Sequence, residues 1–405
     1  MITLEMFRIA LESIRAHKMR SFLNLLGIII AVTTIIAVIS VVSGLNEYAA
    51  NIINQLGPNT FIITKFGIIT SREEFLQAMK RKDITLEDVD AVRRLVPKAV
   101  RVCPRVFSQQ AVYAEGSRLA DTFFVGTGPE MPWMVGMELD DGRYFTDVED
   151  RAARPVAVVG WDVKDQLFPN VDPIGRLIKV SGKPFRIVGL LIRQGKIFGQ
   201  SQDQVVLVPF SSYEKAMGKS RSIDIFVEAP DSNSIPSVME GVRTVMRSRR
   251  GTSYRDPDPF DIIDAEALQS FWRQITFFGF ALVIWIASIS LLVGGVAIAN
   301  TMFASIMERT QEIGIRKAIG ARRRDIRRQF LFEAMTLSTF GGIVGIGFGW
   351  IASKLVEAYT PFPARVSLFL MTIGLVVSVL SGLLAGWVPA LRASRLDPVE
   401  AIRSE

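Results

Sequence analysis

The chain has 405 residues, 49% of them hydrophobic and 21% charged, and a formal net charge of +7. Its mean hydropathy of +0.30 is above that of ordinary soluble domains and excludes intrinsic disorder. A single cysteine excludes a disulfide framework or a Cys-rich metal centre, and the lone His17 excludes a multi-His metal site and argues against a His-based catalytic triad.

Residues 1–21 read as an amphipathic segment at the membrane surface, with Phe7, Leu11 and Ile14 on its apolar side. Phe22 to Leu45 follows without a charge. That stretch is too long for a signal-peptide core and long enough to cross a bilayer, so a retained first span is expected over 22–45. Three more spans are expected over 274–307, 330–353 and 366–391, of which only the third carries an acid, Glu333. Glu333 lies near the start of its span, where a loop arginine is the expected partner and a proton relay the alternative.

Between the first two spans lies a folded α+β segment, 46–270, expected to form two subdomains. Strands are predicted at Phe61–Thr64, Phe123–Val125, Pro155–Val159, Leu177–Val180, Phe185–Leu191, Val205–Val208 and Ile223–Val227. Helices are predicted at Leu86–Leu95 and Ile235–Arg247, and turns at Asp141-Gly142, Gly182-Lys183-Pro184 and 256–259. Cys103 sits in a proline-flanked strand and reads as a small buried hydrophobe. Tyr48, Ile52, Ile53 and Leu56 continue the first span's stripe outward, and Ala265–Arg273 lead into the second without a breaker, so helical stalks are expected at both ends of the insert.

Charge sets the orientation. Loop 308–328 holds eight Lys/Arg against three acids, residues 1–21 hold four against two, and the insert is nearly neutral. The positive-inside rule therefore places both termini and loop 308–328 in the cytoplasm, and the insert and the short loop 354–365 outside. The basic excess then signals topology, with contact to anionic lipid head groups as its companion, and nucleic acid is not an expected partner.

Loop 308–328 reads as helix, glycine break, helix. Glu308, Glu312 and Arg316 follow at four-residue spacing, Gly320 suits a left-handed helix stop, and Arg322 to Arg328 open a helix running into the third span. Ile313, Ile315 and Ile319 are expected to be exposed on this short knob, which suits a partner's groove; a basic loop resting on lipid heads is the plainer reading. Gly341, Gly345 and Gly349 on the third span, and Gly382 and Gly386 on the fourth, have the small-xxx-small spacing of closely packed helices. Packing of spans three and four within one chain is expected ahead of a dimer face. Trp272, Trp350 and Trp387 suit the membrane interfaces. Asp397, Pro398 and Glu400 suit the start of a last short helix in the tail 392–405, which is a further candidate for contact with an ATPase.

Four stretches together carry a family resemblance: SIRAHKMRSFLNLLGIIIAV, the run from Gly142 to Leu191, ERTQEIGIRKAIGARRRDI and PALRASRLDPVEAIR. The chain resembles MacB-type ABC transporter permeases, the group that includes FtsX-like and LolC/LolE-like proteins, over essentially its full length. The resemblance implies an α-helical membrane protein with four transmembrane helices and an α+β extracytoplasmic domain, the MacB-like periplasmic core domain, between helices one and two. It implies a bacterial inner-membrane location and a dimer, either of identical chains or of paralogous permeases. It also implies a separate cytoplasmic ABC ATPase that binds ATP and Mg and drives external movement through the stalks, termed mechanotransmission. The implied coupling element is Glu308, Arg309, Glu312, Gly314, Arg316, Lys317 and Gly320.

Unlike MacB itself, this sequence has only 21 residues before the first span and no Walker A motif. The nearest match, Tyr213 to Ser220, has tyrosine where GxxxxGK[ST] begins with glycine. A non-catalytic permease without a cofactor of its own, acting in efflux, is therefore expected. A periplasmic adaptor and an outer-membrane duct are further candidate partners, and lipoprotein release or FtsX-like regulation of cell-wall hydrolases is the alternative function. An intramembrane enzyme ranks last, because neither HExxH nor GxSxG is present.

Overall fold

The computed structural model describes residues 18–55, 57–197, 200–219, 222–253, 255–360, 364 and 366–403. Phe7, Leu11, Ile14, His17, Leu56 and Ser220 lie outside the described residues. The chain divides into two units, 49–272 and a helical unit of 1–48 with 273–405. Its first described element, α1 (Lys18–Gln55), carries the first apolar stretch and continues beyond it.

In the inserted unit the elements are, in order, β1 (Thr60–Thr64), α2 (Arg72–Lys80), α3 (Leu86–Leu95), β2 (Arg101–Ala114), β3 (Ser117–Thr127), α4 (Met131–Val135), β4 (Leu139–Gly142), α5 (Asp147–Arg151), β5 (Val156–Val159), α6 (Trp161–Leu167), β6 (Leu177–Val180), β7 (Lys183–Leu191), β8 (Lys196–Ile197), β9 (Gln200–Ser201), β10 (Val205–Pro209), α7 (Phe210–Met217), β11 (Asp224–Glu228), α8 (Ile235–Arg250) and β12 (Asp261–Ile263). Ten strands form one sheet in the order β12-β1-β11-β2-β3-β10-β5-β7-β4, and β6 pairs with both β2 and β7. The pairings β2–β3–β10–β5–β7–β6–β2 close on themselves, so six strands form a ring from which β11, β1 and β12 extend. The hairpin β6–β7 turns on Ser181 and Gly182, both with positive φ (50° and 78°), as a two-residue primed turn requires.

The expectation of two subdomains is corrected here. The long strand β2 belongs to both halves, and one cluster of buried side chains runs from Phe61 on β1 to Phe185 on β7 and Phe260 before β12. The 14-residue strand β2 places Val102, Val106 and Val112 in this main cluster, beside which smaller clusters form around Phe145 and around Met131, and 49–272 is one compact unit. Helix α8 packs its Val238, Val242 and Met246 into this core at four-residue spacing. Its last turn holds α3, where buried Asp88 accepts from Arg249 at 2.8 Å and caps the Thr85 N–H at 3.1 Å.

Two side chains give measurable consequences. Cys103 is fully buried, and burial pushes its thiol up to about 12. Because the thiolate is the reactive form, folded protein should resist maleimide at pH 7 and label only on unfolding, as mass spectrometry would read. Glu149 caps α5, accepting from the Thr146 N–H at 2.9 Å, and takes a two-pronged contact from Arg143 at 2.7 and 2.8 Å. The Arg143 contact holds its carboxyl down at about 2. A depressed folded value means the stabilisation is present above the unfolded carboxylate range, near 4.5, and is lost as pH falls toward 2. Glu149→Gln should therefore lower the melting temperature at pH 7, with a penalty that shrinks steadily below pH 4.5.

The helical unit contains the rest of α1, most of α9 (Ala265–Glu308), then α10 (Thr310–Ala318), α11 (Arg323–Tyr359), α12 (Leu368–Arg395) and α13 (Pro398–Arg403). Four of these, α1, α9, α11 and α12, are long and apolar enough to cross a membrane. The protein is a four-span membrane protein with an α+β domain inserted after the first span. Small residues set the packing. A Cβ on Gly27 of α1 would lie 2.6 Å from the Gly294 Cα of α9, so these two backbones touch. Gly341, Gly345 and Gly349 face Ile28, Val32 and Ile36 of α1, and the Thr33 hydroxyl donates to the Gly345 carbonyl at 3.1 Å. Spans three and four pack against each other within the chain, as expected, but the stripe Gly341, Gly345 and Gly349 itself lies on span one. Span four meets span three on a different face, where Gly382 closes on Ser338 and Ala334, Gly342 on Ser378 and Gly386 on Ala334, while Gly386 also reaches Met302 of α9. Period alone marks a stripe as close-packed without saying which neighbour covers it.

Candidate functional site

The segment that follows α9 is built as a short helix clamped from beneath. Helix α9 stops at Glu308, and Arg309 leaves helical geometry with φ −108° and ψ 16°. The Thr310 hydroxyl donates back to the Ile306 and Met307 carbonyls at 2.9 and 3.0 Å, covering acceptors at the helix end. The break puts Glu308 and Glu312 on different helices. Helix α10 ends in a Schellman motif: Ala321 N–H donates to Arg316 O at 3.0 Å and Gly320 N–H to Lys317 O at 3.1 Å, with Gly320 at φ +109°. Helix α11 then begins after Arg322, whose N–H is accepted by Asp325 at 3.2 Å.

Three side chains tie this helix to the spans. Arg309 lies 3.7 Å from Glu333 of α11, the loop-arginine partner expected for that acid. Arg316 pairs with Glu312 one turn back and donates to Gln329 of α11 at 3.0 Å. Lys317 donates to the backbone carbonyls of Ser394, at 3.2 Å, and of Leu396, at the end of α12. A cation there also complements the partial negative charge at a helix C-terminus. Beneath α10, Ile313 packs in a buried cluster with Ile326, Phe330 and Ala393, and Gly314 is buried beside it. Ile313 was expected to be exposed; it is 3% exposed because α11 and α12 cover that side.

The opposite side of α10 is open. Ile315 is 46% exposed and Ile319 82%, flanked by exposed Glu308, Gln311 and Glu312, and by exposed Arg322, Arg323 and Arg324 beyond the turn. Helix α13 begins as expected at Pro398, with Asp397 accepting from the Val399 N–H at 2.8 Å. Reasoning from sequence missed Gln329 and the two carbonyls held by Lys317. A backbone acceptor carries no sequence signal, although a lysine near the end of an apolar helix is the type that caps one. Among the described residues no three His, Cys, Asp or Glu side chains converge as metal ligands. The arrangement presents two exposed isoleucines in a charged frame above a buried, tethered base.

Residues 21–245 match the family model described as MacB-like periplasmic core domain, and residues 284–398 match FtsX-like permease C-terminal. The macrolide export ATP-binding/permease protein MacB of Shewanella sp. (strain W3-18-1) is 33% identical, covering 99% of this chain and 61% of that protein. The chain thus spans 61% of that relative's length. The uncharacterized ABC transporter permease YknZ of Bacillus subtilis (strain 168) is 31% identical over 100% of both chains. The crystal structure of the periplasmic region of MacB from Actinobacillus actinomycetemcomitans aligns with TM-score 0.46 and 18% identity, covering 54% of this chain and 94% of that one.

Proposed function

The chain belongs to the MacB-type ABC transporter permease family, and on that premise we propose that it converts ATP hydrolysis, performed outside these 405 residues, into movement of its inserted domain. The movement drives efflux of a substrate from the periplasm or the outer leaflet. In this reading the exposed face of α10 seats in a groove of a cytoplasmic ABC ATPase, which holds the ATP and Mg. Loop 308–328 and both termini face the cytoplasm of a bacterial inner membrane, and two permeases work as a pair.

The observation that carries the reading is the two-sided character of α10: Ile315 and Ile319 exposed above, Ile313 and three tethering side chains fixed below. A knob loaded from outside would pass force to α9, α11 and α12 together. Helix lengths support transmission. At about 1.5 Å per residue, the 44 residues of α9 reach roughly 66 Å, about twice the bilayer's ~30 Å hydrocarbon core. The rest is a helical stalk that runs without a break from residue 265 of the inserted unit. The lack of a GxxxxGK[ST] sequence supports an ATPase supplied from elsewhere.

The test is reconstitution of the full chain in liposomes with and without an ABC ATPase. Spin labels in the inserted domains of the paired permeases would read their separation. ATP should change that distance only when the ATPase is present, and the permease should alter the ATPase's turnover. ATP cleavage by the chain alone, or an unmoved label distance during turnover, would overturn the proposal.

A further inference from the structure

We propose that the end of the helical unit carrying loop 308–328 holds a built site for an anionic phospholipid head group, between α11 and α12. The guanidinium of Arg327 on α11 lies 5.8 Å above the ring of Trp387 on α12. Arg324, Arg327 and Arg328 share one stripe of α11, at spacings of three and four residues, where like charges repel. Asp325 lies 4.0 Å from Arg324, and among the described residues no carboxylate reaches Arg327 or Arg328. The compensating anion for this stripe is therefore not supplied by the described part of the chain.

Depth argues for lipid. The contact with Arg327 sets the Trp387 ring level with the second turn of α11. Arg392, five residues further along α12, stacks at 5.8 Å over Phe303 of α9. Five residues rise about 7.5 Å along a helix. That matches a single head-group layer, roughly 5–8 Å thick, between hydrocarbon and water. Arg327 and Trp387 at that depth suit a phosphate between α11 and α12, with the half-exposed Trp387 indole N–H as an added donor, while Arg392 on another side of α12 marks the depth only. A basic pocket between spans at this face is a recognised lipid-binding chemistry. The inference does not depend on the ATPase reading, because it uses neither α10 nor its exposed isoleucines.

The test uses the full chain in vesicles containing brominated lipid, which quenches nearby tryptophan. Subtracting a Trp387→Phe variant isolates the Trp387 signal. Brominated phosphatidylglycerol should quench Trp387 with an apparent affinity well above that of brominated phosphatidylcholine. The preference should fall roughly fivefold for each of Arg327→Gln and Arg328→Gln, the effect of one interfacial cation. Arg327→Lys should keep most of it, which separates loss of charge from loss of fold. Equal quenching by the two lipids, or a preference untouched by the double glutamine variant, would overturn the site. So would its displacement by inorganic phosphate, which would mark a free-anion site. A double variant that loses a bound ATPase but keeps its lipid preference would assign the stripe to a protein instead.

Discussion

On the proposed docking, Ile319→Asp is expected to cut the amount of an added ABC ATPase retained by the chain by at least nine-tenths while leaving the chain's melting temperature within about a degree. Ile319 is 82% exposed at the C-cap of α10, so in the free chain the substitution strands no buried group. In a docked complex the same side chain would be buried, and burying an isoleucine contributes about 1.5–3 kcal/mol. An aspartate would forfeit that and add the cost of a desolvated charge, which together make a loss of thirtyfold or more in affinity. Glu312→Lys should act in the same direction. It reverses a charge beside Ile315 and breaks the Arg316 pair, whose half-exposed partners contribute little to folding. Ile313→Asp is the contrast: at 3% exposure it should destabilise the whole helical unit. Full ATPase retention by both Ile319→Asp and Glu312→Lys would refute docking through α10.

The largest stability effect is expected where α1 crosses α9. A Cβ at Gly27 meets backbone atoms, Gly294 Cα at 2.6 Å and N at 2.7 Å, and backbone cannot rotate away as a side chain can. Gly27→Leu must push the two helices apart, opening gaps along a contact that only dispersion and close fit hold together in lipid. A loss of about 3 kcal/mol or more is expected, the upper range for an overfilled site. Gly347→Leu on α11 is the control, because nothing lies within 4 Å of its Cβ position, and it should be near neutral. Equilibrium unfolding of both variants in mixed micelles would read the difference. Equal midpoints would mean that α1 and α9 do not cross at Gly27.

What could be read from the sequence follows from how local each signal is. The four spans were legible because a hydrocarbon layer demands some twenty apolar residues in a row, and the chain has four such runs. The strand Leu177–Val180 and the helix Leu86–Leu95 were placed to the residue, because turn residues or caps bound both. Helix α2 was missed, since its exposed Phe75, Leu76 and Met79 break the usual apolar stripe. Contacts between distant segments were not legible. Gly27 and Gly294 meet across 267 positions, and each alone is an unremarked glycine in an apolar run. Ile313 and Ile319 look alike in the loop, and only the neighbouring helices decide which is covered. The helix–glycine–helix form of loop 308–328 was legible from its charge and glycine spacing, while a coupling role for it came only from the family resemblance; the contacts of Arg316 and Lys317 at Gln329, Ser394 and Leu396 lie outside that loop and were not legible.

The pairing of β1 with both β11 and β12 bears on how the protein is made. Its first strand, TFIIT, leaves the ribosome about 160 residues before β11 and about 200 before β12. At roughly 5–20 residues per second, that apolar ribbon waits some 10–40 s for both of its edges. Through that interval it is an open template for pairing with other nascent chains. Mutations that slow the emergence of residues 224–263 should therefore raise aggregation during synthesis without changing the stability of the finished molecule.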